Sequence, residues 1–156
     1  MIAEELKLIP STAMRTMKHL EEENVVDFKL EGKNKKYSLK ETPEAKSYLI
    51  MAEHYKFIKL MQNAKMRKIA KELIEQTAGE LIVIFGSYAK GTETSESDID
   101  VYLETQNREL KEKLSEISEK LSIKIGKLDK ENLLVKEIIK NHVIIQNAER
   151  FYQLIT

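Results

Sequence analysis

With 156 residues, 42% hydrophobic and 33% charged, and 26 basic against 26 acidic side chains, the chain has the make-up of one ordinary soluble domain or two small ones. The absence of cysteine excludes a disulfide framework and a thiolate metal site, and a formal net charge of zero argues against a protein that coats polyanions generally. No apolar run reaches membrane-spanning length and Met1 is not followed by a signal-peptide pattern, so a cytoplasmic location is expected.

In chain order, Ile2 to Leu6 is apolar at helical spacing, and Leu8-Ile9-Pro10 reads as a turn. Ser11 is placed to cap a second helix in which Ala13, Met17 and Leu20 recur on one face, with Asn24 as its stop. Val25–Leu30 and Lys36–Leu39 read as strands joined by Glu31-Gly32-Lys33-Asn34-Lys35. Pro43 opens a long helical pattern with Ala45, Tyr48, Leu49, Ala52 and Tyr55 on one face. Met66, Ile69, Ala70, Leu73 and Ile74 continue it after a break near Gln62-Asn63.

From Gly79 onward, strands and helices alternate. Strand 81–85 leads into a short helix from Ser87, and strand 98–104 leads into an amphipathic helix near 107–121. A strand at 122–128, a helix at 131–140, a strand at Val143-Ile144-Ile145 and a helix at 148–155 complete the chain. The organisation expected is a module at 1–50, a helical linker at 51–78 and an α+β domain with a mixed sheet at 79–156.

The chemistry concentrates in FGSYAKGTETSESDIDVYLE, residues 85–104. Gly86 lets an anion approach the backbone, and Ser87 begins a helix whose unpaired N–H groups suit phosphate. Asp98 and Asp100 are two apart on a strand, so both carboxylates share a face. Their mutual repulsion is relieved by a hard divalent cation such as Mg²⁺. A phosphate cradle beside a carboxylate pair is equipment for metal-assisted transfer to or from a phosphate.

Gly86-Ser87, ten residues, then Asp98-Ile99-Asp100 resembles the pattern of the nucleotidyltransferase superfamily related to DNA polymerase β, in its small stand-alone members. The resemblance covers about 79–156. It implies that Gly86 and Ser87 hold the phosphates of an NTP, ATP being the expected one, and that Asp98 and Asp100 are catalytic and hold Mg²⁺. Lys90 could assist the phosphates. It also implies transfer of a nucleoside monophosphate to an acceptor hydroxyl, and a helical toxin-like protein as a partner. Active members place a third carboxylate on a later strand. In the matching run Ser122–Gly126 the outward position is Lys124, and Asp129 and Glu131 lie beyond the strand's end. A second reading therefore stands beside the enzyme: a regulator whose nucleotidyltransferase fold serves as a nucleotide sensor or scaffold.

Residues 2–45 resemble a winged helix-turn-helix, in which a recognition helix is followed by a hairpin wing. The resemblance lacks a first helix, since Met1 falls almost at the second. It implies that Ser11, Thr12, Met14, Arg15 and Lys18 face double-stranded DNA. The wing and its flanks carry Lys29, Lys33, Lys35, Lys36 and Lys40 against Glu31, of which Lys33, Lys35 and Lys36 are expected on phosphates. A homodimer through the helical pattern at 44–77 is expected, because its apolar face is longer than one small domain needs. His19, His54 and His142 show no metal-ligand spacing and read as ordinary surface or helix residues.

Overall fold

The computed structural model describes residues 2–155. It divides between Met51 and Ala52 into two compact units.

The first unit holds α1 (Ile2–Glu5), α2 (Pro10–Glu22), an antiparallel hairpin of β1 (Val26–Glu31) and β2 (Asn34–Leu39), and the start of α3 (Pro43–Leu60). Helix α2 begins two residues earlier than a cap at Ser11 would set it. Ile9 is the N-cap and Pro10 takes the first turn, where a missing N–H costs nothing. Ser11 is therefore inside the helix rather than capping it. Asn24 ends the helix in the left-handed region at φ 61, and its amide side chain accepts from Lys40 Nζ (2.8 Å) and donates to Glu44 (3.2 Å). One residue thus ties the end of α2 to the exit of β2 and the entry of α3. The hairpin turn is tighter than the five-residue loop expected. Glu31 pairs with Asn34, which leaves only Gly32-Lys33 at the tip, with Gly32 at φ 63. A small core of Val25, Val26 and Ala45 takes in Met17, Leu20, Tyr37 and Tyr48.

The second unit contains the rest of α3, α4 (Ala64–Gln76), β3 (Ile82–Phe85), α5 (Gly86–Lys90), β4 (Ile99–Glu104), α6 (Arg108–Ser115), β5 (Leu121–Gly126), α7 (Leu133–Lys140), β6 (Val143–Gln146) and α8 (Ala148–Ile155). Its sheet runs β5-β4-β3-β6. The β4–β5 pair is parallel and the other two pairs are antiparallel, so the sheet is mixed, as expected of a nucleotidyltransferase domain. The helical pattern does break at Asn63, whose carboxamide accepts from the amides of Lys65 and Met66 and so starts α4 afresh.

Within the stretch expected as a linker, α4 buries Met66, Ile69, Ala70 and Leu73 on one stripe. These side chains join one core with Ile82, Ile84, Ile99, Val101, Leu103, Leu121, Ile123, Val143 and Ile145. Alternation along the strands then leaves Asp100, Tyr102, Ser122 and Lys124 on the opposite face. No helix among the described residues is long and apolar enough to cross a membrane.

Candidate functional site

The site lies where β3 passes into α5 beside the start of β4. Phe85 pairs with Asp100, which brings the two halves of the sequence motif side by side. Gly86 sits at φ 68, a conformation that favours glycine. Any Cβ there would run into the Asp100 carboxyl group, whose Cγ would be only 3.2 Å away. The glycine is thus required twice, by its backbone angle and by the carboxylate against it. Helix α5 follows at once and ends at Gly91, φ 67, whose amide bonds to Ser87 O.

Between α5 and β4 the loop is pinned. Ser97 Oγ accepts from the Thr94 amide at 2.9 Å, Lys120 Nζ donates to Ser95 O, and Ile99 N bonds to Lys120 O at 2.7 Å. Asp98, at the loop's end, is exposed, whereas Asp100 is half-buried. Burial pushes the Asp100 carboxyl above its ordinary range and the Asp98 charge pushes the same way. A hydrogen bond with Ser122 and the Lys124 ammonium oppose them. The pair is therefore electrostatically unrelieved, the situation a bound cation corrects. Two neighbouring carboxylates fit a hydrated divalent ion, which keeps several waters of its own.

Lys124 lies on β5 on the face shared with Asp100. Its neighbour Ile123 is buried in the core, and Tyr102 is its partner across β4. The two acids beyond the end of β5 are engaged elsewhere. Glu131 pairs with Lys136 at 3.1 Å, and the Asp129 carboxylate accepts from the Glu131 amide at 2.9 Å. Among the described residues no group of three or more His, Cys, Asp or Glu side chains is arranged to hold a metal ion. Lys90 lies 3.9 Å from Glu137, so the cation expected to assist phosphates is shared with an acid. Tyr102 is buried behind Asp100 and donates to Lys127 O at 2.8 Å. Burial, reinforced by the charges of Glu104 and Asp129, pushes its hydroxyl up to about 12, so it is a neutral structural group.

The residues expected on DNA occupy the first unit. Ser11, Arg15, Lys18 and Lys33 are exposed, and Thr12 is half-buried. Lys36 pairs with Glu31 at 3.0 Å, Lys35 lies over the Phe28 ring at 3.6 Å, and Lys18 lies 3.6 Å from Glu22.

A polar cluster with no signature in the sequence lies elsewhere in the second unit. Glu53 is 2% exposed, and one oxygen, Oε1, accepts from Lys56 (2.8 Å) and Tyr152 (2.8 Å) and lies 3.3 Å from His142 Nε2. His142 is not the ordinary surface or helix residue its spacing suggests. Its side chain is only 8% exposed, and its ring packs 4.5 Å from Phe151. The partners lie 89 and 99 residues from Glu53, so no local pattern announces them.

The family model for polymerase beta nucleotidyltransferases matches residues 67–150, from α4 into α8. The match spans more than half of the chain, and the chain belongs to that family. A putative protein adenylyltransferase of Methanocaldococcus jannaschii is 37% identical over 84 residues, which is 54% of this chain and 84% of the relative. A crystal structure of a toxin-antitoxin with AMP-PNP aligns with a TM-score of 0.41 at 23% identity, over 56% of this chain and 77% of that one. That likeness is too distant to bear on function.

Proposed function

We propose that the second unit binds a nucleoside triphosphate with Mg²⁺ and transfers its nucleoside monophosphate to an acceptor hydroxyl. The observation that carries this reading is Gly86, left-handed and pressed against Asp100 at the start of α5, with Asp98 beside it. In this reading the Gly86 and Ser87 amides and the Ser87 hydroxyl donate to phosphate oxygens. Asp98 and Asp100 hold the cation. The bound ion neutralises triphosphate charge and polarises the α-phosphoryl group. The acceptor hydroxyl gives its proton to solvent water, its oxygen bonds to the α-phosphorus, the α–β bridge bond breaks and pyrophosphate leaves. The name of the Methanocaldococcus relative favours an adenylyl donor, hence ATP, and a protein as acceptor; a helical toxin-like protein as that acceptor rests on the family resemblance alone.

The first unit, in the same reading, is a winged helix that brings this activity to double-stranded DNA through α2 and the hairpin tip. A symmetric dimer through α3 accounts for Tyr55 and Ile58, which are 62% and 60% exposed one turn apart.

A second reading, a DNA-binding regulator that senses nucleotide with little turnover, is favoured by one feature. Lys124 shares the Asp100 face and supplies neither a metal ligand nor a carboxylate base. Calorimetry with the four NTPs, with and without Mg²⁺, tests the binding both readings require. Binding is expected to need Mg²⁺ and to vanish in Asp98→Ala with Asp100→Ala; unchanged binding in that variant refutes the site. Pyrophosphate release on adding a protein acceptor then separates transferase from sensor.

A further inference from the structure

The β4–β5 register sets Asp100 and Lys124 on one face, and Asp98 directly precedes β4. β4 and β5 run parallel with Asp100 opposite Ser122 and Tyr102 opposite Lys124. Ile123 turns into the core, so Ser122 and Lys124 stand on the face that carries Asp100. Ser122 is hydrogen-bonded to Asp100, and Lys124 lies two residues further along β5 on the same face, diagonal to Asp100. At the Asp98–Asp100 end this face therefore presents two carboxylates and one ammonium, while Glu104, at the far end of β4, is paired with Arg150.

Two divalent ions on one triphosphate would both have to draw on Asp98 and Asp100, since no further acid joins them among the described residues. The second ion would also sit near the Lys124 ammonium, a like charge that repels it. One ion avoids both difficulties. An ammonium is a compact cation with three donors, suited to a phosphate oxygen as a point charge.

We propose that this site takes a single divalent cation with its nucleoside triphosphate, and that Lys124 supplies the remaining positive charge, binding the phosphates and keeping a second ion away from Asp100. The proposal rests on the reading of the site as an NTP site. It makes Lys124 a phosphate-binding residue, specific to this chain's version of the site, and it assigns the sheet's charge pattern a ligand stoichiometry.

Equilibrium dialysis of the whole chain against saturating Mn²⁺ and the non-transferable analogue α,β-methylene-ATP tests it, with metal and nucleotide counted on the protein side. The wild type should retain one Mn²⁺ and one nucleotide per chain. Lys124→Asp should retain two Mn²⁺ per nucleotide. Lys124→Ala should keep one Mn²⁺ while its nucleotide dissociation constant rises about tenfold, the scale of one charge-assisted hydrogen bond. Lys124 is exposed, so these changes leave the core intact. Two Mn²⁺ on the wild type overturns the inference and leaves the NTP site standing. A single Mn²⁺ on Lys124→Asp, or unchanged nucleotide affinity in Lys124→Ala, overturns it as well. No retained nucleotide on the wild type refutes the NTP reading itself.

Discussion

Replacing Glu53 by Gln removes the charge at the centre of the buried polar cluster in the second unit. Burial alone pushes a carboxyl up, yet hydrogen bonds from His142, Lys56 and Tyr152 outweigh it and hold Glu53 at about 2, against an ordinary 4.5. Each pH unit between the folded and unfolded values corresponds to ~1.4 kcal/mol, so the ionised form contributes about 3 kcal/mol to folding. The folded value is depressed, so this contribution is fully present above the ordinary carboxylate range. It is lost as pH falls from about 4.5 towards about 2. The amide keeps the side chain's shape but removes the charge. It also puts a donor among donors, or turns one towards the position of Oε2, which has no hydrogen-bond partner among the described residues. Urea unfolding followed by the amide resonances of β4 reports on this unit alone. The expected gap between wild type and Glu53→Gln is about 3 kcal/mol at pH 7, closing as pH falls through that window. A gap below about 0.5 kcal/mol at pH 7, or one that persists at pH 2, would refute the reasoning.

Gly86→Ala should abolish nucleotide binding and lower stability by at least about 1–2 kcal/mol, because its backbone is left-handed and its Cβ meets Asp100; calorimetry and urea unfolding read the two effects. In mobility-shift titrations at several salt concentrations, Lys33→Ala should flatten the log–log salt slope by about 0.9, and Lys36→Ala, already paired with Glu31, by less. Arg15→Ala should relax sequence preference rather than the slope, if Arg15 reads a guanine. Light scattering at micromolar concentration should give a dimer mass, and Tyr55→Lys with Ile58→Lys should return it to the monomer.

What the sequence discloses follows the range of its signals. Gly-Ser and Asp-x-Asp are short, rare combinations set on strong β patterns, so their spacing is readable, and the Phe85–Asp100 pairing brings them together. The restart at Asn63 is readable because an asparagine interrupts an apolar period and can cap. The start of α2 misleads because Ser11 is a good cap type, whereas Pro10 fits the first turn even better. The hairpin loop looks too long in the sequence because Asn34 and Lys35 resemble turn residues, although one left-handed Gly32 is enough to close it. The Glu53 cluster is invisible there because its partners come from distant segments, and burial of one acid has no periodicity. Lys124 can be placed on its face from alternation alone; its effect on Asp100 needs the parallel register of β4 and β5.

The central claim is that nucleotide and cation meet between Gly86-Ser87 and Asp98-Asp100. Paramagnetic broadening of amide resonances by substoichiometric Mn²⁺, in the presence of α,β-methylene-ATP, tests it most directly. The account predicts broadening centred on residues 86–87 and 98–100, spreading to Ser122 and Lys124 across the sheet, and absent without nucleotide or in Asp98→Ala with Asp100→Ala. Broadening centred elsewhere, or of equal strength in that variant, would contradict it.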